Sequence, residues 1–254
     1  VPSLGGGDMR RQSLRQVPVS WLFIAVLSGS CAIAQRPQTA DSYEAARRAM
    51  VAAQLADRDI RDQRVLDAMG RVPRHLFVPA EMRQYAYLDS PLPIGENQTI
   101  SQPYIVALMT QLAEPKPGDR VLEVGTGSGY QAAVLSHLTD HVFTIEIIST
   151  LAERARITLA RLGYDRVSVR AGDGYEGWPE EAPFNIIMVT AAAPRLPEPL
   201  QNQLAEGGRL VIPVGNPGFG QMLARYRKKD GKLERENVLP VVFVPMTGRI
   251  ETPE

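Results

Sequence analysis

The chain has 254 residues, of which 44% are hydrophobic and 22% charged, an ordinary composition for a globular protein with room for a sizeable core. Its 28 Lys and Arg balance 28 Asp and Glu, so no overall field attracts nucleic acid or an anionic membrane, and neither is expected as a partner. The single cysteine, Cys31, excludes an internal disulfide and a cysteine metal site in the body of the chain. His137 and His141 flank a helix end and a strand start, which aims them apart, so no metal is expected.

From Met9, the basic residues Arg10, Arg11 and Arg15 precede an apolar run from Val19 to Leu27 and the small residues Ala32-Ile33-Ala34. Over residues 9–34 this is the order of a secretory signal peptide. The run is too short for a stable membrane span. Without residues 1–34 the chain keeps 25 basic and 27 acidic groups and is faintly acidic.

The remainder reads as one domain over 41–254, with a helical and loop-rich cap over 41–102 and an α/β core over 103–254. Tyr43 to Arg58 has apolar positions at helical spacing, and Arg61 to Met69 forms a second short helix, stopped by Pro73 and Pro79. Tyr85 to Gln102, with Pro91, Pro93 and Gly95, reads as loop. From Pro103 onward helices and strands alternate. Helices are expected at 103–114, 129–137, 149–163 and 197–204, and strands at 120–124, 141–146, 167–171, 184–189 and 208–213. Short β-branched runs between amphipathic helices call for a doubly wound, mostly parallel sheet. Gln221 to Arg227 and Leu233 to Val244, joined across Asp230-Gly231, read as antiparallel strands at its edge.

Glu123-Val124-Gly125-Thr126-Gly127-Ser128-Gly129 carries the chain from an apolar strand into a glycine-rich turn and then a helix. Such glycines let backbone turn tightly and approach a ligand. The spacing differs from the Gly-x-Gly-x-x-Gly of dinucleotide folds, and an acid precedes it, which suits a cationic ligand better than a phosphate. Glu146 and Asp173 follow at the ends of the next two strands, placed to accept from ribose hydroxyls and from an adenine amino group. Each acid alone reads more commonly as a helix cap or turn residue. Three at successive strand ends favour a shared ligand. The Gly-x-Gly-x-Gly spacing with its acid resembles the first motif of class I methyltransferases.

Three further segments narrow the resemblance. Thr99-Ile100-Ser101-Gln102-Pro103 and Val189-Thr190-Ala191-Ala192-Ala193-Pro194 are not general methyltransferase features, and the closing Phe243-Val244-Pro245-Met246-Thr247-Gly248 goes with them. Over residues 43–248 the chain is similar to the protein-L-isoaspartate O-methyltransferase family. The resemblance implies a Rossmann-like class I fold and S-adenosyl-L-methionine as cofactor. It implies methylation of the free α-carboxylate of L-isoaspartyl residues in damaged proteins and peptides, whose ester then closes to a succinimide and reopens partly as aspartate. It makes Ser101 the active-site serine, with Thr99 and Ile100 in the wall beside it. Glu123, Gly125, Thr126, Gly127, Gly129, Glu146, Asp173, Gly174 and Gln221 would contact the cofactor. Two positions depart from the pattern: Val106 stands where some relatives have histidine, and Asn185 where an aspartate is usual.

Cofactor supply places such an enzyme, expected as a monomer, in the cytoplasm, whereas residues 9–34 point to export into a periplasm. Two rival readings share the same loop and acids: a class I methyltransferase for a small molecule or RNA, and a binding module that has lost its cofactor.

Overall fold

The runs expected as strands do pair. A computed structural model describes residues 39–216 and 220–251; the signal-like segment 9–34 and Cys31 lie outside them. Strands β3 (Arg120–Val124), β4 (His141–Glu146), β5 (Val167–Ala171), β6 (Phe184–Val189) and β7 (Leu204–Gly215) run parallel, and β8 (Gln221–Lys229) and β9 (Lys232–Val241) close one edge antiparallel. The order across the sheet is β5-β4-β3-β6-β7-β8-β9.

Side chains alternate between two buried layers, as strand periodicity demands. Val121, Val142, Ile186, Met188 and Val211 pack on one face with α2 (Gln63–Arg71), α3 (Pro103–Ala113), α4 (Tyr130–Leu135) and α5 (Ser149–Arg161). Leu122, Val124, Ile187, Val189 and Leu210 pack on the other, against Leu200 of α6 (Glu198–Gln203) and Ile250. Both faces being covered is what makes β3 and β6 continuous hydrophobic runs. Among the described residues no helix is long and apolar enough to cross a membrane.

The cap departs from expectation in two places. The first helix is α-helical only over α1 (Ala40–Ala49) and continues as a π-helix, Met50–Ala56, which buries Met50 and Leu55. The stretch read as loop contains a hairpin, β1 (Leu92–Gly95) with β2 (Gln98–Ile100). Its two turn residues, Glu96 (φ 52°) and Asn97 (φ 56°), are both left-handed, which is the geometry of a type I′ turn. Smaller shifts occur elsewhere: β7 begins at Leu204 rather than 208, and β9 ends at Val241 rather than Val244.

The cap is held together by polar and aromatic contacts and reaches the core through Arg74. Tyr43 stacks on His75 with ring centroids 4.0 Å apart, and His75 Nδ1 meets the Tyr87 hydroxyl at 2.7 Å. Burial, reinforced by Arg47 and Arg83, pushes His75 down to about 4, so it is neutral. Arg74 is fully buried, donates from Nε to the Ala86 carbonyl at 2.8 Å and lies 4.9 Å over the Tyr130 ring.

Arg209 ties α3 to the sheet. From β7 it donates Nε to the Ala113 carbonyl at 2.9 Å and Nη2 to the Glu114 carbonyl at 2.6 Å, and it pairs with Asp119 at 3.0 Å. A planar guanidinium satisfies these divergent acceptors at the helix terminus; a single ammonium cannot reach all three. Arg209→Lys is expected to lower stability by about 1–3 kcal/mol, read as a shift of the urea midpoint at unchanged slope.

Candidate active site

Chain connections leave β3 toward β4 and β5 on one side, while β6 continues to β7 on the other. Their carboxyl ends, Val124 and Val189, are therefore neighbours whose following loops diverge, and a crevice opens between them. The glycine loop forms its floor. Gly125 has φ +98°, and a Cβ there would fall 2.5 Å from Thr190 Oγ1. That hydroxyl donates to the Gly125 carbonyl at 2.6 Å, tying the loop after β3 to the loop after β6. Gly174 closes the same wall so tightly that a Cβ would meet Val124 Cγ1 at 2.3 Å.

Two carboxylates face this cleft in different states. Glu146, at the end of β4, accepts from the Gly127 N–H at 2.8 Å and the Ile148 N–H at 3.0 Å. Glu123 is wholly buried; its Oε2 accepts from the Thr144 hydroxyl at 2.6 Å, while Oε1 has no partner. Burial drives its carboxyl up to about 8, the Thr144 hydrogen bond opposes this, and the nearby Glu146 charge adds to it. Glu123 is thus mostly protonated at neutral pH.

Thr99, Ile100, Ser101, Glu123, Gly125, Thr126, Gly127, Glu146 and Gly174 all line the cleft, which encloses about 890 Å³ of empty space, part of it open to solvent. Three expected contacts stand outside that lining. Gly129 packs against Leu159 and Ala155, starting α4. Asp173 accepts from the Tyr175 N–H at 2.9 Å and the Arg249 N–H at 2.7 Å, so its carboxylate fastens the C-terminal segment. Gln221 spends both ends of its amide on the backbone of Phe243, at 3.1 and 2.6 Å. It positions Val244 to Thr247, which do line the cleft and which sequence reasoning had marked only as a family signature. Thr190 and Ala191 were likewise marked but given no role, and Val106, in place of the histidine of some relatives, is also in the wall. Asn185, the other departure, accepts from the Arg120 N–H at 2.8 Å and anchors the start of β3.

A second cavity of about 1070 Å³ lies beside the first, lined by Gln102, Tyr104 and the stretch Leu239 to Val244. Thr99, Ser101, Thr190 and Val244 belong to both walls. The segment carrying Ser101 is clamped by Asp89, which accepts from the Gln102 side chain at 2.8 Å and from the Tyr104 N–H at the start of α3 at 3.2 Å. Arg58 holds Asp89 from the far side at 2.9 Å.

The model of the Protein-L-isoaspartate(D-aspartate) O-methyltransferase family matches residues 45–251. The chain belongs to this family. Among its relatives, protein-L-isoaspartate O-methyltransferase 2 of Polaromonas sp. strain JS666 is 59% identical over 189 residues, covering 74% of this chain and 90% of the relative. The protein-L-isoaspartate O-methyltransferase of Opitutus terrae is 58% identical, covering 78% and 85%. A solved protein-L-isoaspartate O-methyltransferase superposes with TM-score 0.73 at 31% identity, over 80% of this chain and 67% of that one. A Plasmodium falciparum structure named for the same activity, in complex with S-adenosyl-L-homocysteine, superposes with TM-score 0.70 at 28% identity, over 79% and 98%. The family assignment confirms the fold read from the alternating pattern.

Gly125→Ala is expected to destabilise by at least about 1–3 kcal/mol, since it adds both left-handed strain and an overlap with Thr190; thermal or urea unfolding checks it. Glu123 makes stability depend on pH. Its folded value, about 8, lies above the usual 4.5, so the native state holds the proton more tightly. That stabilisation is complete below about pH 4.5, is lost as pH rises through about 8, and changes no further above it. Glu123→Gln is expected to remove this slope, measured as the wild-type minus variant difference in unfolding free energy between pH 5 and 9.

Proposed function

We propose that this protein transfers a methyl group from S-adenosyl-L-methionine to the free α-carboxylate of L-isoaspartyl residues in damaged proteins and peptides. The observation that carries the reading is that Ser101 sits in the wall common to both cavities, in a chain of this family. The cofactor would occupy the cleft over the glycine loop and the peptide the groove along Leu239 to Val244. The cleft suits a cationic ligand: it holds the unpartnered Oε1 of Glu123 beside the Glu146 carboxylate and presents no lysine or arginine.

The bound cofactor supplies an electrophilic methyl group on a positively charged sulfur that leaves as a neutral thioether. What remains for the protein is placement. An α-carboxylate is already ionised at neutral pH, so no general base is required. Ser101 donates a hydrogen bond to the carboxylate oxygen that does not attack, leaving the other oxygen free and aimed at the methyl group. Among the described residues no histidine or lysine lines either cavity to activate the serine as a nucleophile. Thr99, Ile100, Thr190 and Val244 shield the transfer path from water, and Asp89 holds the serine segment in register. The working unit in this reading is a monomer. The succinimide that forms from the ester needs no further catalysis, which makes the enzyme one of repair.

The reading places the enzyme in the cytoplasm, where its cofactor is made; a mature N-terminus at Gln35, found by mass spectrometry, would move it to an exported compartment. Methyl incorporation is expected into an isoaspartyl peptide and not into its aspartyl twin, and equal labelling of both, or labelling of RNA alone, would sink the assignment. Ser101→Ala is expected to bind S-adenosyl-L-homocysteine as wild type does while turnover falls about 10- to 100-fold, the worth of one hydrogen bond to a charged group. An unchanged rate would remove Ser101 from this role.

A further inference from the structure

Against the glycine loop lies a third pocket of about 600 Å³, which Ser101 does not line. Helix α5 supplies one wall with a single face, Leu151, Arg154, Ala155, Thr158 and Arg161, and the 3-10 turn Ala80–Tyr85 supplies Arg83 opposite. Gly127 and Ser128 form its floor and also line the cofactor cleft. Three guanidinium groups therefore meet around one concavity, and no carboxylate lines it.

That is unusual in this protein. Arg48, Arg58, Arg64, Arg120, Arg156 and Arg170 each pair with an acid. The one acid of α5, Glu153, is taken by Arg156 on its outer face. Arg161 makes no hydrogen bond or ion pair among the described residues, and the buried Nε of Arg83 has no acceptor. Arg154 gives only Nη2, to the Ile94 carbonyl at 3.0 Å. Three unneutralised cations with the Thr158 and Ser128 hydroxyls beside them offer the donor set of a multiply charged tetrahedral oxyanion, for which a single carboxylate would be too small a charge.

We propose that this pocket is a phosphate site held by Arg83, Arg154 and Arg161, and that its occupant tightens cofactor binding through the shared loop Gly127-Ser128. The sign follows from charge. Empty, the three guanidiniums raise the potential at a loop that a cation must approach; filled, the phosphate cancels most of that charge and the repulsion of the cation weakens. By reciprocity the cofactor tightens phosphate by the same factor. The coupling rests on the cofactor reading of the cleft, whereas the anion site itself does not.

Calorimetric titration of the full chain with inorganic phosphate, at ionic strength held constant with chloride, tests the site without cofactor. Saturable binding is expected, weakened at least tenfold in the Arg154→Ala and Arg161→Ala variants, whose side chains are exposed and tolerate truncation without loss of fold. Absence of binding, or equal binding in wild type and both variants, as for an adventitious ion only, would overturn the proposal. A second titration with S-adenosyl-L-methionine, with and without saturating phosphate, is expected to show about fivefold or greater tightening in wild type and none in the variants. Equal tightening in all three proteins would refute the coupling. Phosphate binding in a protein that takes up no cofactor at all would uphold the anion site and reject the cofactor reading instead.

Discussion

Glu146 is the constraint around which the site is organised. Its two oxygens receive the Gly127 and Ile148 N–H groups, so one side chain at the tip of β4 fixes both the glycine loop from β3 and the entry into α5. Without it those donors would lose their charged acceptor at the edge of a cleft. The Thr190 hydroxyl does the matching job across the switch point, bonding the Val124 and Gly125 carbonyls from the end of β6. Floor and wall are thereby held by strands of the central sheet.

The loop borders two electrostatic environments. In the cleft lie Glu123 and Glu146, with Thr126 and Thr144 linking hydroxyls at 2.7 Å beside them. In the third pocket lie the arginines of α5 and the cap. A buried carboxyl with one unsatisfied oxygen is costly in an isolated protein, and Glu123 meets that cost by keeping its proton. A cation arriving beside it would reverse the preference, so the protonation of Glu123 and the filling of the cleft are linked events. The same geometry explains why an acid precedes this loop rather than the phosphate-binding donors of a dinucleotide fold.

How much was legible depended on whether a residue's partner was local. The strand runs of β3, β4, β5 and β6 could be read to the residue, because short β-branched runs bounded by turn residues mark them locally, even in β5, which is only partly buried. Helix ends were less exact, and the continuation of α1 as a π-helix has no marker in its Ala-rich sequence. The β1–β2 hairpin escaped notice because its turn places Glu96 at a left-handed position where asparagine or glycine is the usual sign. Asp173 and Gln221 followed the family pattern in sequence, yet their side chains hold Arg249 and Phe243 in place.

From the order of residues alone came the alternating α/β core, the glycine loop with its preceding acid, the Ser101 segment and hence the family. Each of these is written in neighbours a few positions apart, through periodicity, turn chemistry and short motifs. Only the folded chain decided that Ser101 stands between two cavities, that Glu123 is buried and protonated while Glu146 is satisfied by backbone, and that three unpaired arginines share a pocket against the loop. Those properties depend on distance and desolvation between segments far apart in the chain, and neither quantity exists until the sheet brings them together.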